Sequence, residues 1–167
     1  MKPKKTYFLF CIWLSIVCHA QQAIPGAHEQ ANDFTYTTAS GKTGTLYALE
    51  AETLLLYFYD PTCEDCHALM HRLDSLSIIN QQITEGRLKV LAIYPEEDTD
   101  EWQEQDALMP PAWINGYDKD AKIFTEGLFP LVKLPALYLL DREKRFILKD
   151  TSPEAIERKL EKTKCNL

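Results

Sequence analysis

The sequence predicts an α/β fold: a three-layer α/β/α sandwich with a central mixed sheet, folded as one domain. Three observations carry this. Two runs of seven residues each stand out, Thr53–Tyr59, continuously apolar, and Leu88–Tyr94, apolar but for Lys89. That is too short for typical helices, so fully buried strands are favoured. Between them, from Cys66, apolar residues fall at 66, 69, 70, 73 and 76, the spacing of an amphipathic helix. Third, the chain has 167 residues, 46% apolar and 26% charged, which is one ordinary globular domain and neither a collagenous nor a disordered chain.

Residues 1–20 join a basic start (Lys2, Lys4, Lys5) to an apolar stretch from Tyr7 to Val17 and then Cys18-His19-Ala20. Small residues three places and one place before Gln21 complete the layout of a secretory signal cleaved after Ala20. An uncleaved transmembrane helix is the rival, but the run is about a dozen residues where a bilayer needs roughly 20. Lipid anchoring through Cys18 is less favoured, because Val17 stands where such signals usually carry a small residue. The expected location is exported, periplasmic or otherwise extracytoplasmic.

The mature chain opens with residues 21–32, polar and irregular, expected as a flexible tether. The folded domain is expected at 33–162, with a tail at 163–167. Asp33–Thr38 alternates Phe34 and Tyr36 with polar neighbours, as a strand does. After the Ser40-Gly41-Lys42 turn, Thr45–Leu49 is expected to pack beneath the Thr53–Tyr59 strand. Gly86 then precedes the Leu88–Tyr94 strand. Pro95–Asp106 is acidic and carries Trp102, predicting a surface helix resting on one aromatic. Pro110-Pro111 ends it, Ala112–Tyr117 predicts a short strand, and Ala121–Phe124 a helical turn. Ala136–Leu140 and Arg145–Leu148, joined by Asp141-Arg142-Glu143-Lys144, form a hairpin. Ser152 is a good N-cap and Pro153 a good first residue for the last helix, whose Ile156 and Leu160 face the sheet.

Acids outnumber bases 25 to 18, for a net charge of −7. Loss of the three leader lysines makes the remainder more acidic still. Such a body repels phosphate backbones and anionic lipid, which argues against nucleic-acid binding. The run Glu96–Glu101 is expected as a solvated face. Trp102, Trp113 and the tyrosines are expected as packing, with Trp113 and Tyr117 the ones able to line a groove beside Pro135.

The chemistry concentrates in Tyr59-Asp60-Pro61-Thr62-Cys63-Glu64-Asp65-Cys66-His67. Two cysteines two residues apart sit where a buried strand ends and a helix begins. There the first thiol faces the unpaired N–H groups of the helix start, which stabilise a thiolate. The second lies a turn inside, close enough to close a disulfide and resolve a mixed one. Cys11 and Cys18 leave with the signal, so Cys165, on the tail, is expected to be free and incidental. A structural disulfide is the plain alternative for the pair. The string also spells C-x-x-C-H, the c-type haem signature, but a preceding buried strand leaves no haem pocket, and no bound haem is expected. His67 and His71, four apart beside the cysteines, raise a metal site; solvent-facing histidines are the simpler expectation.

These residues resemble the thioredoxin-like superfamily, in particular its exported TlpA- and ResA-like thiol–disulfide oxidoreductases. Leu-Tyr-Phe-Tyr-Asp-Pro-Thr-Cys-Glu-Asp-Cys-His is similar to that branch's strand–CxxC–helix. Leu134-Pro135-Ala136-Leu137-Tyr138-Leu139-Leu140-Asp141 resembles its cis-proline strand. The resemblance covers roughly residues 33–162. It implies that Cys63 is the nucleophile, Cys66 the resolving thiol, Pro135 a cis-proline facing them, and the Leu134 backbone a holder of an incoming peptide strand. It implies extracytoplasmic protein disulfides as substrates, a membrane thiol-electron donor, and no organic cofactor. The chain departs from the pattern where Thr62 replaces an aromatic, Tyr57 a buried acid and Leu69 a glutamate, which predicts slow proton transfer to the resolving thiol. A non-enzymatic binding or metal-carrier protein of the same fold is the alternative.

Glu64 and Asp65 bear on redox direction. A helix start stabilises a nearby thiolate by roughly 0.3–1 kcal/mol, and each carboxylate opposes it by about 1 kcal/mol at surface dielectric. A strong oxidant needs a highly stabilised thiolate. A reductant or exchange protein is therefore expected rather than a disulfide donor.

Overall fold

The computed structural model describes residues 29–96 and 100–164. The signal at 1–20 with Cys18, residues 21–28 of the tether, and Cys165 in the tail lie outside the described residues. Seven strands form one mixed sheet: β1 (Thr35–Thr37), β2 (Thr43–Thr45), β3 (Thr53–Phe58), β4 (Leu88–Tyr94), β5 (Ile114–Tyr117), β6 (Ala136–Asp141) and β7 (Phe146–Leu148). Their order is β2-β1-β5-β4-β3-β6-β7. β3, β4 and β5 run parallel, whereas β1 joins β5 and β6 joins β3 antiparallel. Helices α1 (Glu64–Asp74), α2 (Ser77–Thr84), α3 (Asp100–Asp106), α4 (Lys122–Thr125) and α5 (Pro153–Lys164) flank the sheet. The α/β sandwich expected from the sequence is the architecture observed.

Strand side chains alternate between faces, so one apolar run serves two cores. Leu55, Tyr57 and Tyr59 enter the first, with Met70 and Leu73 of α1, Ile79 of α2, and Ile156 and Leu160 of α5. Leu54, Leu56 and Phe58 enter the second. That second face is roofed thinly, by the single turn of α4, by Leu46 and Leu49, and by aromatic side chains. Phe58 lies among aromatic rings: those of Phe34, Phe129 and Tyr138 lie 6.2, 4.9 and 5.8 Å from it. Trp102 of α3 is fully buried and packs 4.8 Å from the ring of Tyr117.

Three local features differ from the sequence expectation. The spacing that runs to residue 76 predicts one helix, but the chain breaks after α1 and restarts as α2. The Ser75 hydroxyl donates to the Arg72 carbonyl at 2.7 Å, and Leu76 is extended at φ −77°, ψ 112°. Serine competes for backbone groups in this way. Leu76 keeps its place in the first core all the same. Residues 29–32, read as tether, are docked to the fold: the buried Ala31 donates its N–H to Lys144 at 2.8 Å, and Phe146 donates to Glu29 at 2.9 Å. Side chains add to this, Gln30 Nε2 donating to the Glu143 carbonyl and Asn32 Nδ2 to the Leu128 carbonyl, both at 3.0 Å; a polar composition gives no clue to such distant partners.

The third feature is β2, Thr-Gly-Thr, which has no apolar residue to announce it. It is paired antiparallel with β1, where Tyr36 lies across two glycines. A Cβ on Gly44 would stand 2.6 Å from the Tyr36 hydroxyl oxygen; one on Gly116 would stand 2.8 Å from Tyr36 Cδ2 and 3.2 Å from the Thr37 carbonyl oxygen. The tip of a tyrosine can move, but the base of its ring and the backbone cannot. Gly116→Ala is expected to destabilise the fold by about 1–3 kcal/mol and Gly44→Ala by less, measured as shifts in the urea midpoint.

Candidate active site: a dithiol at a strand–helix junction

β3 ends at Phe58 and α1 begins at Glu64, and Cys63 is the N-cap between them, extended at φ −84°, ψ 117°. Its Sγ accepts the Cys66 N–H at 3.3 Å, the bond a serine or aspartate side chain usually makes at a helix start. Unpaired N–H groups and the positive end of the helix dipole converge on that spot. Both cysteines are free thiols, Cys63 half-buried and Cys66 buried. Glu64 and Asp65 are exposed in the first turn.

The loop before Cys63 is trussed. The Asp60 carboxylate accepts, through Oδ1, the Thr62 N–H and the Thr62 hydroxyl, both at 2.7 Å. Cys63 donates its N–H to the Asp60 carbonyl at 3.2 Å. From α1, His67 Nε2 donates to the Pro61 carbonyl at 2.7 Å. Asp60 in turn directs its own N–H at Cys66 Sγ, 3.5 Å away. Tyr57 donates its hydroxyl to the Cys66 carbonyl at 2.7 Å, fastening the first turn of the helix to the central strand.

Behind the dithiol the Tyr59 ring stacks on Tyr57 at 5.2 Å, and Trp113 meets Tyr57 edge-on at 6.2 Å. The Tyr59 hydroxyl donates to Asn115 Oδ1 at 2.8 Å, and Asn115 Nδ2 donates to Asp106 Oδ1 at 2.7 Å. Burial pushes both phenols up, so they stay protonated and act as donors.

The Cys66 thiol is pushed up to about 12, first by burial; the Asp60 N–H works against this, while the neighbouring Cys63 sulfur adds to it. At neutral pH it is therefore a thiol. Iodoacetamide at pH 7 is expected to label Cys63 in the folded protein and Cys66 only after unfolding, read by peptide mass spectrometry. A folded value above the unfolded one, about 8.5, gives a contribution to stability that is complete below that pH. It is lost as the pH rises through 12.

The Leu134–Pro135 peptide bond is cis. Register pairs Ala136 of β6 with Phe58 of β3, so Pro135 stands at the end of the sheet where the dithiol loop leaves it. Leu134 and Cys63 are both partly buried against the first core. Cys63, Cys66, Leu134 and Pro135, singled out from sequence, are thus brought to one end of the sheet.

The histidines are a partial correction. His71 is exposed as expected, but His67 is half-buried and committed to Pro61. Among the described residues no group of three or more His, Cys, Asp or Glu converges as a metal site. Sequence reasoning missed the roles of Tyr57, Tyr59, Asn115 and Asp106, whose contacts join distant segments. Asp60-Pro61-Thr62 did carry a local signal, since aspartate readily accepts from the residue two places on.

A dithiol opening the helix after a central parallel strand, with a cis-proline opening the antiparallel strand beside it, defines a thioredoxin-like protein. No family model and no curated protein sequence matches this chain. Solved structures do. A thioredoxin-like protein from Bacteroides caccae is 44% identical with a TM-score of 0.79, over 80% of this chain and 48% of its own; this chain thus spans about half of that protein. The C-terminal domain of an uncharacterized protein from Bacteroides fragilis is 40% identical with a TM-score of 0.78, over 80% and 96%. The thioredoxin domain of a thiol-disulfide oxidoreductase from Bacteroides vulgatus, 17% identical with a TM-score of 0.70 over 82% and 96%, shares the fold. The chain belongs to the thioredoxin-like superfamily.

Proposed function

We propose that this protein is an extracytoplasmic thiol–disulfide oxidoreductase of the TlpA/ResA type, reducing or exchanging disulfides in exported proteins. One observation carries the reading: a half-buried Cys63 sulfur 3.3 Å from the Cys66 N–H at a helix start, with the Cys66 thiol buried behind it. One sulfur is reachable; the other is shielded and within reach of the first. That is what two-step exchange needs. The name of the Bacteroides vulgatus neighbour agrees with it, and the signal-like residues 1–20 support export.

In the first step the Cys63 thiolate attacks a substrate disulfide. That S–S bond breaks, one substrate sulfur leaves and takes a proton, and a mixed disulfide forms on Cys63. Cys66 then gives up its proton and attacks the Cys63 sulfur, releasing the second substrate thiol. Two electrons have passed to the substrate and a Cys63–Cys66 disulfide remains. A membrane thiol donor returns two electrons and two protons. The Leu134 backbone beside Pro135 holds the substrate strand while this happens. The sulfur pair is the redox centre, so the cycle needs no organic cofactor.

Insulin reduction tests this. The protein is expected to hasten insulin precipitation over dithiothreitol alone, and to equilibrate with glutathione at a potential well below the roughly −120 mV of DsbA. No acceleration, with the dithiol intact by titration, overturns the proposal.

A further inference from the structure

The resolving step demands a proton acceptor, and the two positions where the resemblance looks for one hold Tyr57 and Leu69. Tyr57 is a donor, engaged with the Cys66 carbonyl. Leu69 packs on the first core. Asp60 is differently placed. Its N–H lies 3.5 Å from Cys66 Sγ. Its Oδ1 is occupied twice by Thr62, leaving Oδ2 without a hydrogen-bond partner among the described residues. The truss through Thr62 and the Asp60 carbonyl ties this carboxylate to the loop that carries Cys63.

We propose that Asp60 serves the resolving thiol: its N–H steadies the Cys66 sulfur, and its Oδ2 takes the Cys66 proton as that sulfur attacks the mixed disulfide. The step balances. The Cys66 S–H bond and the Cys63–substrate S–S bond break, and the Cys63–Cys66 S–S and Asp60 O–H bonds form. The substrate sulfur leaves with the electron pair, and Asp60 then returns the proton to it or to water. The proposal rests on the dithiol exchange proposed above and adds the group that makes its second step practicable.

The other groups facing Cys66 are poorer acceptors. Tyr57 of β3 and Tyr59, just beyond its end, are protonated phenols. Cys63 is tied up in the mixed disulfide at this stage. Leu134 and Pro135, at the same end of the sheet, carry no charge. Among the described residues, Asp60 is the carboxylate whose charge bears on the Cys66 thiol.

Dithiodipyridine separates the two steps in a stopped-flow trace: a first release of thiopyridone reports attack by Cys63, and a second reports resolution by Cys66. In Asp60→Asn the first release is expected to be unchanged and the second about 100-fold slower at pH 7, the usual worth of a positioned base. Its rate should then climb about tenfold per pH unit, following the thiolate fraction of Cys66, where the native protein is flatter. A second release with native rate and pH profile in Asp60→Asn overturns the proposal. So does Thr62→Ala if it reproduces the Asn profile, because it loosens the same loop while keeping the carboxylate. On the native protein alone, a solvent deuterium isotope effect confined to the second release is expected, and its absence counts against Asp60 whether or not the variants fold. Absence of the first release in the native protein instead defeats the exchange reading itself.

Discussion

Cys63→Ser is expected to reduce disulfide exchange to the level of the reductant alone, a loss of about 1,000-fold or more as for other lost nucleophiles. Cys66→Ser is expected to stall it at a covalent adduct. The asymmetry comes from burial and position. Cys63 is the reachable sulfur and the one held at the helix start; a serine hydroxyl there is not ionised at neutral pH and forms no S–S bond with a substrate sulfur. Cys66 is enclosed and attacks the Cys63 sulfur only once that sulfur carries substrate. Without it the first step runs and the second does not, so substrate stays bound through a bond that added dithiothreitol cleaves. Non-reducing gels of the two variants mixed with an oxidised protein check this. Equal adduct formation by both contradicts the assigned order.

Phe58→Ala is expected to destabilise the fold by about 3–5 kcal/mol, the usual cost of deleting a fully buried phenylalanine. A domain of this kind has about 5–15 kcal/mol in all, so the urea midpoint should fall steeply. Phe58 is fully buried and meets three rings at 4.9–6.2 Å. The roof over this core is one helical turn and loops, with few means of collapsing into the space. The change also reaches the site: Phe58 ends β3 directly before the dithiol loop and pairs with Ala136, next to Pro135. Phe58→Leu, which leaves a smaller void, is expected to cost about 1–2 kcal/mol. If both variants unfold at the native midpoint, the second core does not depend on this ring.

Reading the fold from sequence worked where a local pattern has one physical meaning. A short apolar run between turn residues is a strand buried on both faces, as β3 is throughout and β4 is apart from the exposed Lys89. Ser152-Pro153 starts a helix because one residue caps and the other fits the first turn, and Ala155 does donate to the Ser152 hydroxyl oxygen at 3.4 Å. It failed where structure depends on a distant partner. β2 has no pattern of its own and is paired with β1; residues 29–32 have the composition of a tether and are held by the β6–β7 turn. The break at Ser75 lay within a spacing that continued unbroken across it.

The same division runs through the site. Two thiols, their spacing and the strand–helix junction are properties of a continuous stretch of chain, so the sequence alone determined where the candidate dithiol sits. Which sulfur is enclosed, which phenol grips the Cys66 carbonyl, and that Asn115 and Asp106 continue the polar chain behind Tyr59 were decided only by tertiary packing. Covalent order specifies contacts across a few residues; contacts between segments far apart come into being only when the sheet closes and water is driven from between them.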